Sequence, residues 1–405
     1  MVKKNSVGLF GYGCVGQGFY HTLINSDHTN IQIDKVCIRD NFKLRNLNNS
    51  YFTTDKNDIL NNEDYKIIAE LTDDPSSSFE IVKNSLGNRK DVVSANKCMI
   101  AKNLEELIDI QNNNTGNLLY DSSCAGSIPV IRTLEDYYQS EKIISVRGIL
   151  NGTSNYILTK MDNNSLRFDE ALQSAQASGF AESDPSSDIS GTDNAYKTCI
   201  ICLHSTGILI KSEDILTLGI ESVKHSDIKF AKNLDSKIKL LSFINDSDGK
   251  FTAFVIPVFL KNGDNLFNVD YENNGLEING EFTSKQLFTG KGAGSFPTGQ
   301  SVLSDITALT QGYKYNYYKY KNKRQLNREN VKPDYDFDIK IYMSYCNEEY
   351  LADLNLHSVK KINDTSQNKS ITGICSLKSI MNLKPEIKKE LFICAFDPLE
   401  NLNSL

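Results

Sequence analysis

Val7-Gly-Leu-Phe-Gly11-Tyr-Gly13-Cys-Val-Gly16 decides how the N-terminal part of the chain folds. VGLF is a short apolar run, the pattern of a buried strand, and a helical pattern follows the glycines as far as Leu23. Glycine at the first position permits a tight turn, and at the second it lets a pyrophosphate approach the backbone. At the third it allows close packing of helix on strand, and the helix N-terminus supplies amide donors. Three glycines at this spacing mean little alone; the strand before them and the helix after them give the spacing its weight. Outward from the turn, strand-like stretches at Ile31–Ile38, Lys66–Leu71, Asp91–Ser94 and Asn117–Tyr120 alternate with helical patterns such as Leu104–Gln111. That alternation predicts a Rossmann-type, doubly wound parallel sheet of the α/β class.

The chain has 405 residues, which at about 150 per domain predicts two to three domains. Acidic residues outnumber basic ones 51 to 44, a net charge of −7, and no basic block stands out. A nucleic-acid-binding role is therefore not expected. The 40% hydrophobic and 23% charged composition is that of a soluble globular protein, and disordered or collagen-like classes drop out. No window holds 18 apolar residues in a row and MVKKNSVGLFGYG lacks an apolar signal core, so the protein is expected to be cytoplasmic, with no membrane partner. Of nine cysteines, most, such as Cys37, Cys98, Cys199 and Cys394, sit in apolar or helical-looking runs, as reduced core thiols do.

After about Pro129 the pattern changes. Val130–Tyr138 reads as helix, Ile143–Leu150 as strand, and Asn194 to about Gly207 as a long helix. Between Phe251 and Phe288 several short strands are expected, with turn signals at Asn262-Gly263, Asn273-Asn274-Gly275 and Asn279-Gly280. Gly290–Ser295, GKGAGS, precedes an apolar helix near Ser301–Gly312. The expected division is a dinucleotide-binding domain over 1–130, completed by about 300–320, with an inserted mixed α+β domain over 131–299. A surface linker over 321–336 and a small α+β domain over 337–405 follow.

Three clusters carry chemistry. About 23 residues beyond Gly16 the sequence reads Cys37-Ile38-Arg39-Asp40. An acid there would bind a ribose 2′-hydroxyl, and an arginine a 2′-phosphate. Arg39, with Lys43 and Arg45 nearby, favours NADP; Asp40 keeps NAD open, and a solvated loop charge is the alternative. Ser94-Ala95-Asn96-Lys97 places a lysine at the carboxyl end of a strand, where doubly wound sheets bind ligands. The densest cluster is Gly148-Ile-Leu-Asn151-Gly152-Thr153-Ser154-Asn155, then Gly179-Phe-Ala-Glu182-Ser-Asp184-Pro185, Asp188, Gly191, Asp193 and Lys197. Asp193 and Lys197 are four apart, on one helix face, with the acid N-terminal to the base. Acids on a loop that enters an apolar helix suit capture of an ammonium beside a lysine able to exchange a proton; a surface ion pair is the bland alternative.

The segments GYGCVG, SANKCMIA, GILNGTSNYILTKM, GFAESDPSSDISGTDNAYK and GKGAGSFPTGQSVLSDI, in this order, resemble those of homoserine dehydrogenases over about residues 6–310. The resemblance implies NAD(P)-dependent interconversion of L-homoserine and L-aspartate 4-semialdehyde, on the route to threonine and methionine. It implies Lys197 as acid/base and Lys97 as a second catalytic lysine, with Glu182 and Asp193 holding substrate and Asp188 supporting them; the backbone amides of Gly152 and Thr153 are candidates to line the pocket. Phe10, Gly11, Gly13, Cys14, Val15, Gly16, Arg39, Thr72, Ser94, Lys97 and Gly294 are the candidate cofactor contacts. The resemblance further implies a monovalent cation, sodium or potassium, in the loop Asp121–Pro129, at Asp121, Cys124, Gly126 and Ile128. Asp121 stands where Glu is common and Cys124 where Val is usual. Homodimers through the inserted domain, or tetramers, are implied too.

The C-terminal region resembles the ACT regulatory domain in its order of elements, which implies threonine as an effector. Tyr345-Cys346-Asn347-Glu348 replaces the usual Asp-x-Pro-Gly turn. Two rivals compete for the chemistry. Cys124 as an acylated nucleophile needs a base, and none of the five histidines offers one. A catalytically silent NAD(P)-binding sensor predicts loss of Lys97, Lys197 or Glu182, and all three are present. Cys199-Ile-Ile-Cys202 with His204 lacks a second ligand pair for a metal.

Overall fold

The computed structural model describes residues 4–26, 30–40, 47–113, 116–247, 249–365 and 368–397. The chain divides into two units: Met1–Ser140 with Leu203–Leu209 and Gly290–Glu329, and Glu141–Cys202 with Ile210–Thr289 and Asn330–Leu405. Among the described residues no helix is long and apolar enough to cross a membrane.

The first unit holds β1 (Asn5–Phe10), β2 (Ile31–Cys37), β3 (Phe52–Thr53), β4 (Ile67–Glu70), β5 (Asp91–Ser94) and β6 (Leu118–Leu119) in one parallel sheet, ordered β3-β2-β1-β4-β5-β6. Central parallel strands are covered on both faces, which is why β1 and β4 read as apolar runs rather than alternations. Only β3 escaped the sequence reading, because two half-buried residues carry no period. The helix Pro75–Gly87 starts where Asp74 accepts the Ser77 amide at 2.8 Å and proline occupies the first turn. The helix Ser295–Thr310 returns to this unit, as expected, and packs on the glycine-turn helix Cys14–Ile24.

The expected surface linker over 321–336 is corrected only at its ends: most of it is exposed, but helix Tyr318–Gln325 runs into its start, Tyr335 is buried near its end, and Tyr315, Tyr317 and Tyr320 are buried just before it. Tyr317 joins Tyr120, whose hydroxyl lies 2.8 Å from His204 Nε2, while Glu135 sits 2.6 Å from His204 Nδ1. In the second unit the Tyr335 hydroxyl accepts the Leu216 amide at 2.8 Å. Irregularly spaced tyrosines anchor an aperiodic stretch, and among lysines they look like solvent-facing chain.

The second unit is built on β7 (Ile143–Ile149), β8 (Leu216–Thr217), β9 (Ser236–Ser247), β10 (Lys250–Lys261), β11 (Asn273–Gly280), β12 (Ser284–Lys291), β13 (Asp338–Tyr345), β14 (His357–Thr365), β15 (Asn368–Ser376) and β16 (Phe392–Ala395). They form one sheet, β12-β11-β7-β9-β10-β16-β13-β15-β14, with β8 beside β10. Instead of several short strands after Phe251, β10 runs twelve residues against β9. Leu377–Glu390 holds two short helices, Leu377–Met381 and Pro385–Glu390, rather than one, because the residue before a proline disfavours helical geometry.

The expectation of a separate domain over 337–405 is also corrected. The last strand, β16, inserts between β10, with Val258 paired to Ala395, and β13, with Ile341 paired to Ala395. Leu241, Phe243, Phe254 and Ile256 then share one hydrophobic core with Ile339, Ile341, Met343 and Ile393. Deleting residues 337–405 should therefore yield aggregated protein without a cooperative thermal transition. A soluble, cooperatively melting truncation would contradict the shared core.

Candidate functional site

The strand order of the first unit reverses between β1 and β4, the switch point where doubly wound sheets bind ligands at the strands' carboxyl ends. Gly11 leaves β1 there with φ +88°, and a Cβ on it would lie 2.5 Å from the Leu71 carbonyl oxygen. Gly13 caps the helix Cys14–Ile24, and a Cβ built on it would meet no atom within 4 Å. The helix begins with no acidic residue in its first turn and no side chain capping it. This is an open, anion-receptive cradle, and it fits a dinucleotide pyrophosphate. Phe10 and Gly16 are buried beneath it, while Cys14 is exposed and Val15 half-buried. Gly294, at φ +122°, caps the helix Ser295–Thr310, and Ser295 Oγ donates to the Cys14 carbonyl at 2.7 Å.

Glu70, at the carboxyl end of β4, was not singled out from sequence. Its fully buried carboxylate accepts the Thr72 amide (2.8 Å), the Thr72 hydroxyl (2.5 Å), the Ser94 hydroxyl (2.8 Å) and the Ser78 hydroxyl. It thus fixes two expected cofactor contacts, Thr72 and Ser94. An acid ending the apolar strand IIAE was the available signal. Asn96 continues the scaffold, donating to the Thr72 carbonyl (3.1 Å) and accepting the Met99 amide (3.0 Å) at the start of helix Lys97–Asn113. Lys97 is the first residue of that helix and is half-buried. Arg39 and Asp40 follow β2, exposed; Arg39 pairs with Asp73 at 3.4 Å, while Lys43 and Arg45 lie outside the described residues.

In the second unit the structure brings the third cluster together. Lys197, 6% exposed, places Nζ 2.8 Å from Asp193 Oδ2 and donates to the Leu150 carbonyl at 2.6 Å. Asn151 organises the rest. Its Nδ2 donates to Asp188 Oδ1 (2.7 Å) and Asp193 Oδ2 (2.9 Å), and its Oδ1 accepts the Ser154 amide (2.8 Å), capping helix Gly152–Asn164. The bland surface pair is thereby excluded, because acid and base are both buried and locked. Thr153 donates to the Phe180 carbonyl at 2.6 Å, and Gly152 packs against the backbone of Glu272. Glu182 stands exposed on its loop, where its carbonyl accepts Gln176 Nε2 at 3.1 Å, outside this hydrogen-bonded cluster.

Lys239, also missed from sequence, fastens the neighbouring loop. Its buried ammonium reaches Asn155 Oδ1 (2.9 Å), the Val269 carbonyl (2.7 Å) and Asp270 Oδ1 (2.8 Å). Burial outweighs the Asp270 attraction and brings Lys239 down to about 8.

In the loop after β6, Asp121 is wholly buried, and burial raises it to about 6 although it accepts the Ile131 amide at 2.6 Å. Asp305, wholly buried too, is raised well above the ordinary carboxyl value by burial and by Asp121, and its Oδ1 has no hydrogen-bond partner. Cys124 and Ile128 are buried, and Gly126 has φ +59°. Among the described residues no cluster of histidine, cysteine and acid fit for a metal occurs. A cation here would rest mainly on backbone carbonyls.

The glycine cradle at the switch point is of the kind a nicotinamide-dependent oxidoreductase uses, and the buried, paired lysine of the third cluster suits one acting on a CH–OH group. Residues 129–307 match the homoserine dehydrogenase family and residues 11–121 its NAD-binding domain. The homoserine dehydrogenase of Bacillus subtilis (strain 168) is 34% identical over 319 residues, 76% of this chain and 73% of that protein. A homoserine dehydrogenase structure from S. aureus at pH 8.5 superposes with a TM-score of 0.73 at 29% identity, covering 98% of this chain and 100% of that one. One from Thiobacillus denitrificans reaches 0.83 at 24% identity, covering 98% and 99%, a likeness of fold. The chain belongs to the homoserine dehydrogenase family.

Glu70 yields a test of the cofactor scaffold. Burial raises its folded-state pKa above the ordinary 4.5, against the pull of its hydroxyl and amide donors. Folding therefore takes up a proton between those values, and the native state loses stability as pH rises through that window. Glu70→Gln should flatten this limb of the stability curve. Glu70→Ala, stranding several donors, should cost about 3 kcal/mol by urea unfolding and weaken cofactor binding. An alanine variant with wild-type stability and affinity would contradict the scaffold.

Proposed function

We propose that the chain interconverts L-homoserine and L-aspartate 4-semialdehyde, with Lys197 as the acid/base group. The observation that carries this reading is the buried Lys197 ammonium, held by Asp193 and the Leu150 carbonyl. The bound nicotinamide cofactor supplies or accepts the hydride. Phe10, Gly11, Gly13, Cys14, Val15, Gly16, Thr72, Ser94, Lys97 and Gly294 are the residues proposed to hold it. Lys197 delivers the proton to the aldehyde oxygen in reduction and removes it from the alcohol in oxidation. Lys97 is the second catalytic lysine.

Asp193 and Glu182 complement the substrate ammonium; Asp188, tethered through Asn151, supports them, and Gly152 and Thr153 line the pocket. Exposed pairs such as Arg39 with Asp73 are worth little. Arg39 can therefore turn to a 2′-phosphate, and NADP is the favoured cofactor. Sodium or potassium is proposed at the carbonyls of Cys124, Gly126 and Ile128, beside Asp121. The unpartnered buried Oδ1 of Asp305 supports a need for positive charge nearby. The second unit is proposed to form the homodimer contact, and threonine remains the proposed effector of its C-terminal strands. The comparisons lend no support to a silent sensor.

Purified protein should oxidise NADPH with aspartate semialdehyde, followed at 340 nm, and do so faster than with NADH. Lys197→Ala should lose kcat by about 10²- to 10⁴-fold with cofactor affinity within about twofold of wild type, measured by fluorescence titration. Equal losses of rate and cofactor affinity would contradict the proton-transfer role.

A further inference from the structure

The Leu150 carbonyl receives two side-chain donors. Lys197 Nζ reaches it at 2.6 Å and Asn274 Nδ2 at 3.0 Å. Asn274, the second residue of β11, is fully buried. Chemistry fixes its orientation: a carbonyl only accepts, so the amide nitrogen must face Leu150. Its own Oδ1 is then turned away, buried and without a hydrogen-bond partner. Buried polar atoms are seldom left unpaired in native folds, and nothing here rewards this acceptor. The side chain is held for what its nitrogen does.

We propose that Asn274 is a positioning residue for Lys197, sharing the Leu150 carbonyl so that this oxygen grips the ammonium less tightly and the lysine can pass its proton to substrate. An oxygen that already accepts one hydrogen bond is a poorer acceptor for a second. Without Asn274 the carbonyl turns its full charge on Lys197. The ammonium is then held more tightly and gives up its proton less readily, which slows its action as a base toward the alcohol. The inference rests on the acid/base role of Lys197.

The test is kcat and kcat/KM for homoserine oxidation against pH in wild type, Asn274→Leu, Asn274→Ala and Lys197→Ala, with melting temperature and cofactor affinity measured alongside. Leucine removes the donor together with the unsatisfied oxygen at similar volume, so stability should hold. The acidic limb of kcat should move up by about half to one pH unit. At pH 7 kcat should fall several-fold while KM for homoserine and cofactor affinity stay within about twofold. If leucine packs poorly, alanine must show the same movement of the limb. An acidic limb unmoved in both variants overturns the proposal, whether or not the melting temperature falls, since that pattern is structural. Lys197→Ala at near wild-type rate would instead overturn the acid/base reading beneath it.

Discussion

The side-chain amide of Asn151 is the interaction on which the second unit's chemistry depends. One oxygen caps helix Gly152–Asn164, and one nitrogen holds Asp188 and Asp193 together. Asp193 and Lys197 are buried with the half-buried Asp188 beside them, and charges taken out of water lose their hydration, at a cost, unless each lone pair and proton is matched. Asn151 supplies that matching without adding charge. Lys197 is thereby kept buried but paired, between Asp193 and the Leu150 carbonyl. Loss of the Asn151 amide would leave two carboxylates without their common donor and the helix without its cap.

The same logic shapes the first unit, where Glu70 takes the organising part. It gathers hydroxyls and an amide from the ends of β4 and β5 and from the following helix, so that the loops beside the glycine cradle are set before any cofactor arrives. Lys239 does the corresponding work for the loop around Val269 and Asp270. In each place a buried polar group has several partners from separate segments. Such groups fix geometry more than they add stability.

Legibility in the sequence followed the physics of each feature. The doubly wound sheet could be read because buried parallel strands are apolar throughout and the glycine turn is locally defined. Lys197 and Asp193 could be read because four-residue spacing is a property of the helix they share. Lys239, Asp305 and Asn274 could not, since each acquires meaning only through partners distant in the chain, and Glu70 went unread although an acid closed an apolar strand. The C-terminal strands misled for a similar reason. Their order of elements is local, but the insertion of β16 between β10 and β13 is a long-range pairing that no periodicity announces. The tyrosines beyond Gly312 hid a packed stretch among lysines and asparagines.

Chemical rescue addresses the central claim, that Lys197 moves the proton, most directly. Lys197→Ala supplied with small primary amines of graded basicity should recover homoserine oxidation in proportion to amine concentration, with rates that rise with amine basicity after correction for size. A Lys197→Ala enzyme that turns over near the wild-type rate and ignores added amine would contradict the account.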